Sequence, residues 1–210
     1  ASSEAPRMPS AWYLDWAEAT QVLQNAGPDP VADPEVGAAM RFVACELASG
    51  IAAGQPRRMC VALHEVCMLG ASERLRPVLQ GVQMHRLVAR ATHCGAAIGD
   101  EECIRAGLCC LWNLASSAPL RPELARVSGE ALVAALGLRA PDVIEWCARV
   151  VWLLAEDPLA CSTLCRRKVH EVLASHQHAG GQARSSQEWV HRALLRMQSQ
   201  EGGSSPSNVA

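Results

Sequence analysis

The feature that most constrains the fold of this chain is an internal repeat of about 40 residues. A shift of 40 places Trp112 on Trp152, within two segments of similar apolar pattern. The same shift carries Leu132-Val133 onto Val172-Leu173, in the segments that follow. Because two successive segments move together, the repeated unit is larger than a single helix.

Two further shifts extend the series in both directions. A shift of 43 places Glu145-Trp146 on Glu188-Trp189, and a shift of 45 relates Leu69 to Leu114. Units of this length are typical of stacked helical repeats. Such units bury their apolar faces against their neighbours, which gives a curved, quasi-one-dimensional array.

The composition and the prolines favour helices throughout. Half of the residues are apolar, and Ala and Leu, which are strong helix formers, dominate. Proline stands between or at the start of the periodic segments, where a helix tolerates it, and Asp142, Asp157 and Ser185 or Ser186 suit helix N-termini. No segment has a strand pattern. The predicted helices are 11–26, 34–50, 56–72, 76–93, 100–117, 121–137, 141–156, 159–176 and 185–199.

The pattern predicts one domain. The helical repeat domain covers 11–200, after a flexible N-terminal segment at 1–10 and before a disordered Gly/Ser/Pro-rich tail at 201–210, with a Gly/His-rich loop at 177–184. The first ten residues lack the apolar stretch of a secretory signal. Since they also lack an initiator Met, we expect a processed chain or a piece of a longer one.

Ten cysteines are distributed along the chain. Most fall at apolar positions of helical patterns, and Cys109 and Cys110 are adjacent, whereas disulfide scaffolds are short and rich in loops. We therefore interpret them as free thiols that pack in the core. This interpretation predicts a reducing intracellular compartment, the cytoplasm or the nucleus.

Charge and hydropathy exclude two classes of partner. The net charge is −2, so no global positive field attracts nucleic acid or anionic lipid. No segment approaches the run of about 18 apolar residues that crosses a bilayer. We therefore expect neither nucleic acid nor a membrane as a partner.

No constellation of residues indicates chemistry. Cys161 and Cys165 are four apart and His170, His176 and His178 follow, but zinc sites usually contain a Cys-x-x-Cys or His-x₃₋₅-His pair. His93 and Cys94 point in different directions on a helix. Phosphate loops, nucleophile elbows and paired carboxylates are absent from the sequence. The sequence predicts no enzyme, no cofactor and no metal site.

One segment resembles the third helix of an armadillo repeat. It is the run from Cys109 to Ser116, which reads CCLWNLAS. The resemblance implies a right-handed α-α superhelix of the armadillo/HEAT type, with about four repeats over 36–200. In that family the third helices line a concave groove, where Asn113 would hydrogen-bond the backbone of a bound peptide.

The resemblance is strongest in this one repeat. Armadillo proteins that resemble importin-α carry a Trp four residues before the Asn, and Cys109 stands there in this chain. The following repeats replace the Asn with Leu153 and Arg196. We therefore do not predict a basic nuclear-localisation peptide as the ligand.

Aligned repeats place three columns of residues on the predicted groove. The columns are Cys60, Arg105, Glu145 and Glu188; His64, Cys109, Arg149 and Arg192; and Met68, Asn113, Leu153 and Arg196. The predicted partner-binding residues are His64, Met68, Arg105, Cys109, Asn113, Glu145, Arg149, Glu188, Arg192 and Arg196.

The groove arginines have two interpretations. Arg149, Arg192 and Arg196 grip carboxylates of a partner in bidentate fashion. Alternatively, they belong to a solvated helix face whose arginines pair with Glu145 and Glu188 at i, i+4 spacing. The six tryptophans are predicted mainly to pack in the core.

The predicted function is a non-catalytic scaffold that binds a protein, as an extended peptide or a helical segment, along this groove. Two alternatives stay open. One is a structural subunit or fragment of a larger assembly, whose apolar ends are interfaces. The other is a protein that responds to metal or redox state through its thiols.

Overall fold

The computed structural model describes residues 16–177 and 183–202, and this part of the chain is all-helical. The predicted segment 1–10 and residues 203–210 of the predicted tail lie outside the described residues. The described part contains eleven α-helices: α1 Trp16–Gln24, α2 Pro34–Ala52, α3 Pro56–Ala71, α4 Arg76–Gly81, α5 Met84–Ile98, α6 Glu101–Ala115, α7 Arg121–Gly137, α8 Pro141–Leu154, α9 Pro158–Arg166, α10 Val169–Ser175 and α11 Arg184–Gly202.

The helices pack in two rows. In the front row, α3 packs on α6, α6 on α8, and α8 on α11. In the back row, α2 packs on α5, α5 on α7, and α7 on α9. Helices also pack across the rows, as α5 does on α6 and α7 on α8. Since one continuous cluster of buried Leu, Val, Ala, Ile, Met and Cys side chains joins the rows, the two share a single core.

Two predicted helices are each broken in two. The predicted helix 76–93 is α4 and α5, which are separated at Gln83, and the predicted helix 159–176 is α9 and α10, which are separated at Lys168. Gln83 has φ 54° and Lys168 has φ 61°, a left-handed conformation that ends a helix. The two break positions lie 85 residues apart, which is the sum of the predicted shifts of 45 and 40.

Arginines stabilise the C-termini of two front-row helices in the same way. Arg76 Nε donates to the Gly70 carbonyl of α3 at 3.0 Å, and Arg121 Nε donates to the Ala115 carbonyl of α6 at 2.9 Å. Each bond satisfies a carbonyl oxygen of the last helical turn that has no intrahelical partner. The two contacts lie 45 residues apart, the spacing found in the sequence.

Three aspartates act as helix N-caps. Asp33, Asp100 and Asp157 accept hydrogen bonds from backbone N–H groups in the first turns of α2, α6 and α9. The prediction for Asp157 is confirmed. Asp142 is near a helix N-terminus as predicted, since it lies in the first turn of α8, where it pairs with Arg105 at 2.8 Å and is not the N-cap itself.

The C-terminal end of the predicted domain differs in detail. The last helix, α11, extends to Gly202 and therefore enters the predicted tail by two residues. Within the described residues, no helix combines the length and the apolar character that a membrane span needs.

Candidate functional site

All ten predicted partner-binding residues lie on the front row. His64 and Met68 are on α3; Arg105, Cys109 and Asn113 are on α6; Glu145 and Arg149 are on α8; and Glu188, Arg192 and Arg196 are on α11. The helices that carry them pack in sequence, so the row presents them in the order of the chain.

Three tryptophans from three successive front-row helices touch one another. Trp112 of α6 stacks on Trp152 of α8 with ring centroids 6.4 Å apart. Trp189 of α11 meets both rings edge-on, at 6.4 Å from Trp112 and 5.9 Å from Trp152. Each ring packs against the core and is partly buried. The prediction that these tryptophans pack in the core is therefore confirmed in part, because each ring keeps some exposed surface.

Arginines cover the outer faces of the indoles. The Arg149 guanidinium lies 5.1 Å from the ring of Trp146 and 4.9 Å from the ring of Trp189. Arg192 lies 5.2 Å from Trp189, and Arg196 lies 4.1 Å from Trp152. These are cation–π distances. We call Trp112, Trp146, Trp152, Trp189, Arg149, Arg192 and Arg196 the tryptophan–arginine cluster.

Two of these arginines, Arg149 and Arg192, also form ion pairs with glutamates of their own helices. Arg149 and Arg192 each donate to the glutamate one turn earlier, Glu145 and Glu188, at 2.6 Å. The interpretation of these arginines as members of intrahelical pairs is thus confirmed. The stacking on tryptophan is an additional contact that this interpretation did not include.

Arg196 belongs to a pair between helices. It contacts Glu156, which follows α8, and the other oxygen of Glu156 accepts from Arg121 at 2.8 Å. The four arginines at this end of the row thus face three glutamates. The local charge is slightly positive, and every guanidinium is already held in place.

One donor in the cluster has no acceptor. The Arg149 Nε–H is buried and finds no hydrogen-bond partner among the described residues. It is enclosed by the two indoles that stack on its guanidinium. Burying an unpaired donor costs free energy, so the stacking and the Glu145 pair must offset that cost.

The other end of the row, where α3 meets α6, is built from thiols and one amide. Asn113 Nδ2 donates to the carbonyl of Cys67 at 2.8 Å, and Cys110 Sγ donates to the carbonyl of Leu63 at 2.9 Å. Asn113 was expected to reach a bound peptide, but its amide group donates to the neighbouring helix. Its Oδ1 has no partner among the described residues and stays available as an acceptor.

The remaining predicted residues are spread along the row. Met68 is 74% exposed, and His64 is also exposed. Arg105 is held by Asp142. Two members of the aligned columns, Cys60 and Leu153, are buried at 7% and 8% exposure and do not contribute to the surface.

The predicted site did not include the four tryptophans of the cluster. It also did not include Glu156 and Arg121, which pair beside the cluster. A sequence signal existed for part of them, because α8 and α11 both contain Glu-Trp-x-x-Arg, at 145–149 and at 188–192. Residues i and i+3 share a helix face, so each tryptophan adjoins the arginine of its own helix.

Cys67 and Cys109, at the α3–α6 end of the row, are protonated at neutral pH because the pKa of each thiol is raised. A hydrogen bond with Cys109 lowers the pKa of the Cys67 thiol, but a contact with Cys110 and burial outweigh it and raise the pKa to about 11. The hydrogen bond with Cys67, followed by burial, raises the pKa of the Cys109 thiol well above its usual range. Neither thiol is an activated nucleophile at pH 7.

Metal-ligating residues do not converge in the described part of the chain. Cys161 and Cys165 lie on α9 and His170 lies on α10. No group of three His, Cys, Asp or Glu side chains among the described residues is arranged to hold a metal ion. His178, which completes the sequence constellation, lies outside the described residues.

No protein-family model and no curated protein matches the chain. Among solved structures, it is similar to the crystal structure of an engineered protein, a target of the Northeast Structural Genomics Consortium. The TM-score is 0.59 at 16% identity, and the match covers 88% of this chain and 81% of that chain. The likeness supports the all-helical fold alone.

Proposed function

We propose that this protein is a non-catalytic scaffold that binds a segment of a partner protein along the front row, α3–α6–α8–α11. The observation that carries the proposal is the tryptophan–arginine cluster. Three indoles from three successive helices form one patch with ring distances of 5.9–6.4 Å, and guanidinium groups stack on them.

The residue types of the cluster suit an interface. Trp and Arg are the residues that most often contribute large binding energies in protein–protein contacts. Here the arginine side chains are already fixed by stacking and by Glu145, Glu188 and Glu156. Because less side-chain entropy is lost when a partner docks, a pre-ordered patch binds more tightly.

The cluster also indicates the chemistry of the segment. Partly exposed indoles accept apolar or aromatic side chains. The slight excess of arginine favours a carboxylate beside them, because a guanidinium binds carboxylate oxygens in bidentate fashion. We propose a segment with apolar anchors and at least one acidic residue, extended or helical. Nucleic acid and membranes are not proposed as partners.

We further propose that the two rows form an armadillo-like right-handed solenoid of about four repeats. The two-row packing supports this proposal, as do the similar arginine contacts of α3 and α6 and the helix breaks at Gln83 and Lys168. We propose a reducing intracellular compartment as well, since the cysteines of the described residues are free thiols.

The test is affinity capture with a charge-reversal variant. We expect Arg192→Glu to weaken binding of the captured partner at least tenfold, because a carboxylate at this position repels an acidic segment. The captured protein is identified by mass spectrometry, and its affinity for the full chain is then measured by titration with tryptophan fluorescence as the signal.

The matched control is Arg90→Glu. Arg90 is exposed on α5, in the back row, so the variant carries the same charge change away from the cluster. We expect wild-type affinity for this control. A folded Arg192→Glu protein that binds every captured partner as tightly as the wild type would contradict the proposed site.

The alternative, a structural subunit of a larger assembly, has one observation in its favour. Leu195 on the last helix is 52% exposed, and an apolar side chain there suits a contact with a further subunit. Light scattering on the purified chain distinguishes the two functions. A stable monomer supports the scaffold, and a defined oligomer that Leu195→Glu dissociates supports the subunit.

A further inference from the structure

Two cysteines face each other across the α3–α6 contact. The Sγ atoms of Cys67 and Cys109 lie 3.0 Å apart, although the two residues are 42 positions apart in the sequence. Both side chains are half-buried, so they are reachable from solvent without unfolding. The other thiols of the same helices, Cys60, Cys103 and Cys110, are buried.

The backbones of α3 and α6 are held close at this point. A Cβ added to Gly70 of α3 would lie 3.4 Å from the Asn113 Cβ of α6. The short side chains of Cys110 and Asn113 reach the α3 carbonyls of Leu63 and Cys67 directly. The two sulfur atoms therefore need to approach by only about 1 Å to reach the length of a disulfide bond.

We propose that Cys67 and Cys109 are a dithiol–disulfide pair that a small disulfide, such as oxidised glutathione, converts into a covalent link between α3 and α6. The link is a modification site on the front row. The proposal rests on the geometry of the two thiols and does not depend on the proposed partner.

The chemistry balances with one disulfide molecule. The Cys67 thiol loses its proton to solvent, its sulfur attacks one sulfur of the oxidant, and one glutathione thiolate leaves. Cys109 then loses its proton and attacks the Cys67 sulfur of the mixed disulfide, which expels the second glutathione thiolate. Two protein thiols are oxidised, and one glutathione disulfide is reduced to two thiols.

Cys67 is the first nucleophile of the pair. Its pKa is raised to about 11, whereas the pKa of Cys109 is raised further, out of the usual range. Reaction proceeds through the thiolate, so at neutral pH it is slow, and its rate rises about tenfold for each pH unit up to the pKa of Cys67. This pH dependence distinguishes the pair from a free surface cysteine.

The experiment incubates the reduced full chain with oxidised glutathione at about pH 8, blocks residual thiols, and maps the peptides without reduction. We expect a cross-link that joins the tryptic peptide of Cys67 to that of Cys109. Dithiothreitol should remove this cross-link. Cys45, which is exposed and stands apart, should gain a glutathione adduct and so show that the oxidant is active.

Cysteine variants assign the cross-link within these peptides, because each contains a second cysteine, Cys60 or Cys110. We expect Cys67→Ser and Cys109→Ser to abolish the link, whereas the matched controls Cys60→Ser and Cys110→Ser retain it. Circular dichroism reports whether each variant is folded. Two outcomes overturn the proposal: a wild-type chain that forms the Cys45 adduct without the link, or a link that persists in a folded Cys67→Ser chain.

Discussion

At the scale of single residues, one carboxylate connects two back-row helices. Glu123 of α7 accepts from Arg86 of α5 at 3.0 Å and also contacts Arg126 on its own helix. The buried His85 of α5 also lies near Glu123, with its Nε2 3.7 Å from the same carboxylate. The hydrogen bond from Arg126, opposed by partial burial and supported by Arg86, lowers the pKa of Glu123 to about 2. The charged form of Glu123 therefore stabilises the contact between α5 and α7.

Glu123→Gln is expected to lower the free energy of unfolding by about 1 kcal/mol at pH 7, because two arginines lose an anionic partner that is 32% exposed. The folded-state pKa lies below the ordinary value of 4.5. The contribution is thus fully present above that ordinary value and is lost as the pH falls toward 2. Urea unfolding at several pH values should show the wild type and the variant converging in acid.

The control for this prediction is Glu171→Gln. Glu171 is 58% exposed and lies 4.0 Å from Lys168, so its removal should change stability little at any pH. A gap between the wild type and Glu123→Gln that stays constant from pH 7 to acid would show that the carboxylate acts through packing and not through its charge.

Asn113 shows what the sequence cannot predict at this scale. Its position on a front-row helix follows from the repeat spacing. The partner of its amide depends on the distance between α3 and α6, and that distance is set by the small side chains at the contact. Gly70 lets α6 approach until Asn113 Nδ2 is 2.8 Å from the Cys67 carbonyl. Residue spacing along one helix contains no information about such an approach.

At the scale of helices, the back row contacts the front row through another close approach. Gly107 of α6 faces Thr92 of α5, and a Cβ added at Gly107 would lie 2.1 Å from the Thr92 Oγ1 and 3.1 Å from its Cβ. Thr92 is fully buried, and its hydroxyl donates to the Val88 carbonyl at 2.8 Å. Neither residue can therefore move away without loss of packing.

Gly107→Ala is expected to destabilise the protein by about 1–3 kcal/mol through overpacking at this contact, although alanine favours helix more than glycine does. Thermal and urea unfolding measure the loss. Thr92→Ala removes the hydroxyl that causes the closest overlap, so the double variant should lose less stability than the sum of the two single variants.

Gly137→Ala is the matched control for the same substitution. Nothing lies within 4 Å of a Cβ added at Gly137, at the end of α7. We expect this variant to be as stable as the wild type or slightly more stable. Equal losses in the two alanine variants would mean that the α5–α6 contact does not limit the side chain at position 107.

The two helix breaks, at Gln83 and Lys168, were also not predicted from the sequence. Apolar residues continue at helical spacing through Gln83 and Lys168, so the pattern predicts one helix in each place. Neither residue is a glycine or a proline, so the left-handed backbone itself is not marked in the sequence, although Gly81 at the end of α4 weakens the helical pattern there. The capping aspartates, by contrast, act through contacts within four residues, and Asp157 was predicted for this reason.

At the scale of the whole molecule, the contacts among the tryptophans could not be predicted from the repeat spacing. The predicted shifts of 40 and 43 place Trp112 on Trp152 and Trp146 on Trp189. They do not reveal that rings from neighbouring units meet, because that contact depends on the offset between adjacent helices. The stacking of Trp112, Trp152 and Trp189 arises only once α6, α8 and α11 are side by side.

Thiols determine how the entire fold responds to alkali. Cys103 and Cys147 are fully buried, in different parts of the core, and burial is the main cause that raises the pKa of each. Cys67 and Cys109 are raised as well. The chain contains one tyrosine, Tyr13, and one lysine, Lys168. In the unfolded chain, cysteine is therefore the main residue type that titrates near pH 9.

We expect the reduced protein to lose stability steadily as the pH rises above about 9. A thiol whose folded pKa is raised keeps its proton in the folded state, while the unfolded chain releases it. Stability is thus fully present below the unfolded pKa and declines by about 1.4 kcal/mol per pH unit for each such thiol, until the folded pKa is reached. Urea unfolding between pH 8 and 10, with a reductant present, measures this slope.

Two alanine variants test which thiols cause the slope. Cys147→Ala should reduce the slope by the contribution of one thiol, whereas Cys45→Ala, at an exposed position, should leave it unchanged. A stability that is flat over this range would show that the buried thiols open to solvent before the fold is lost.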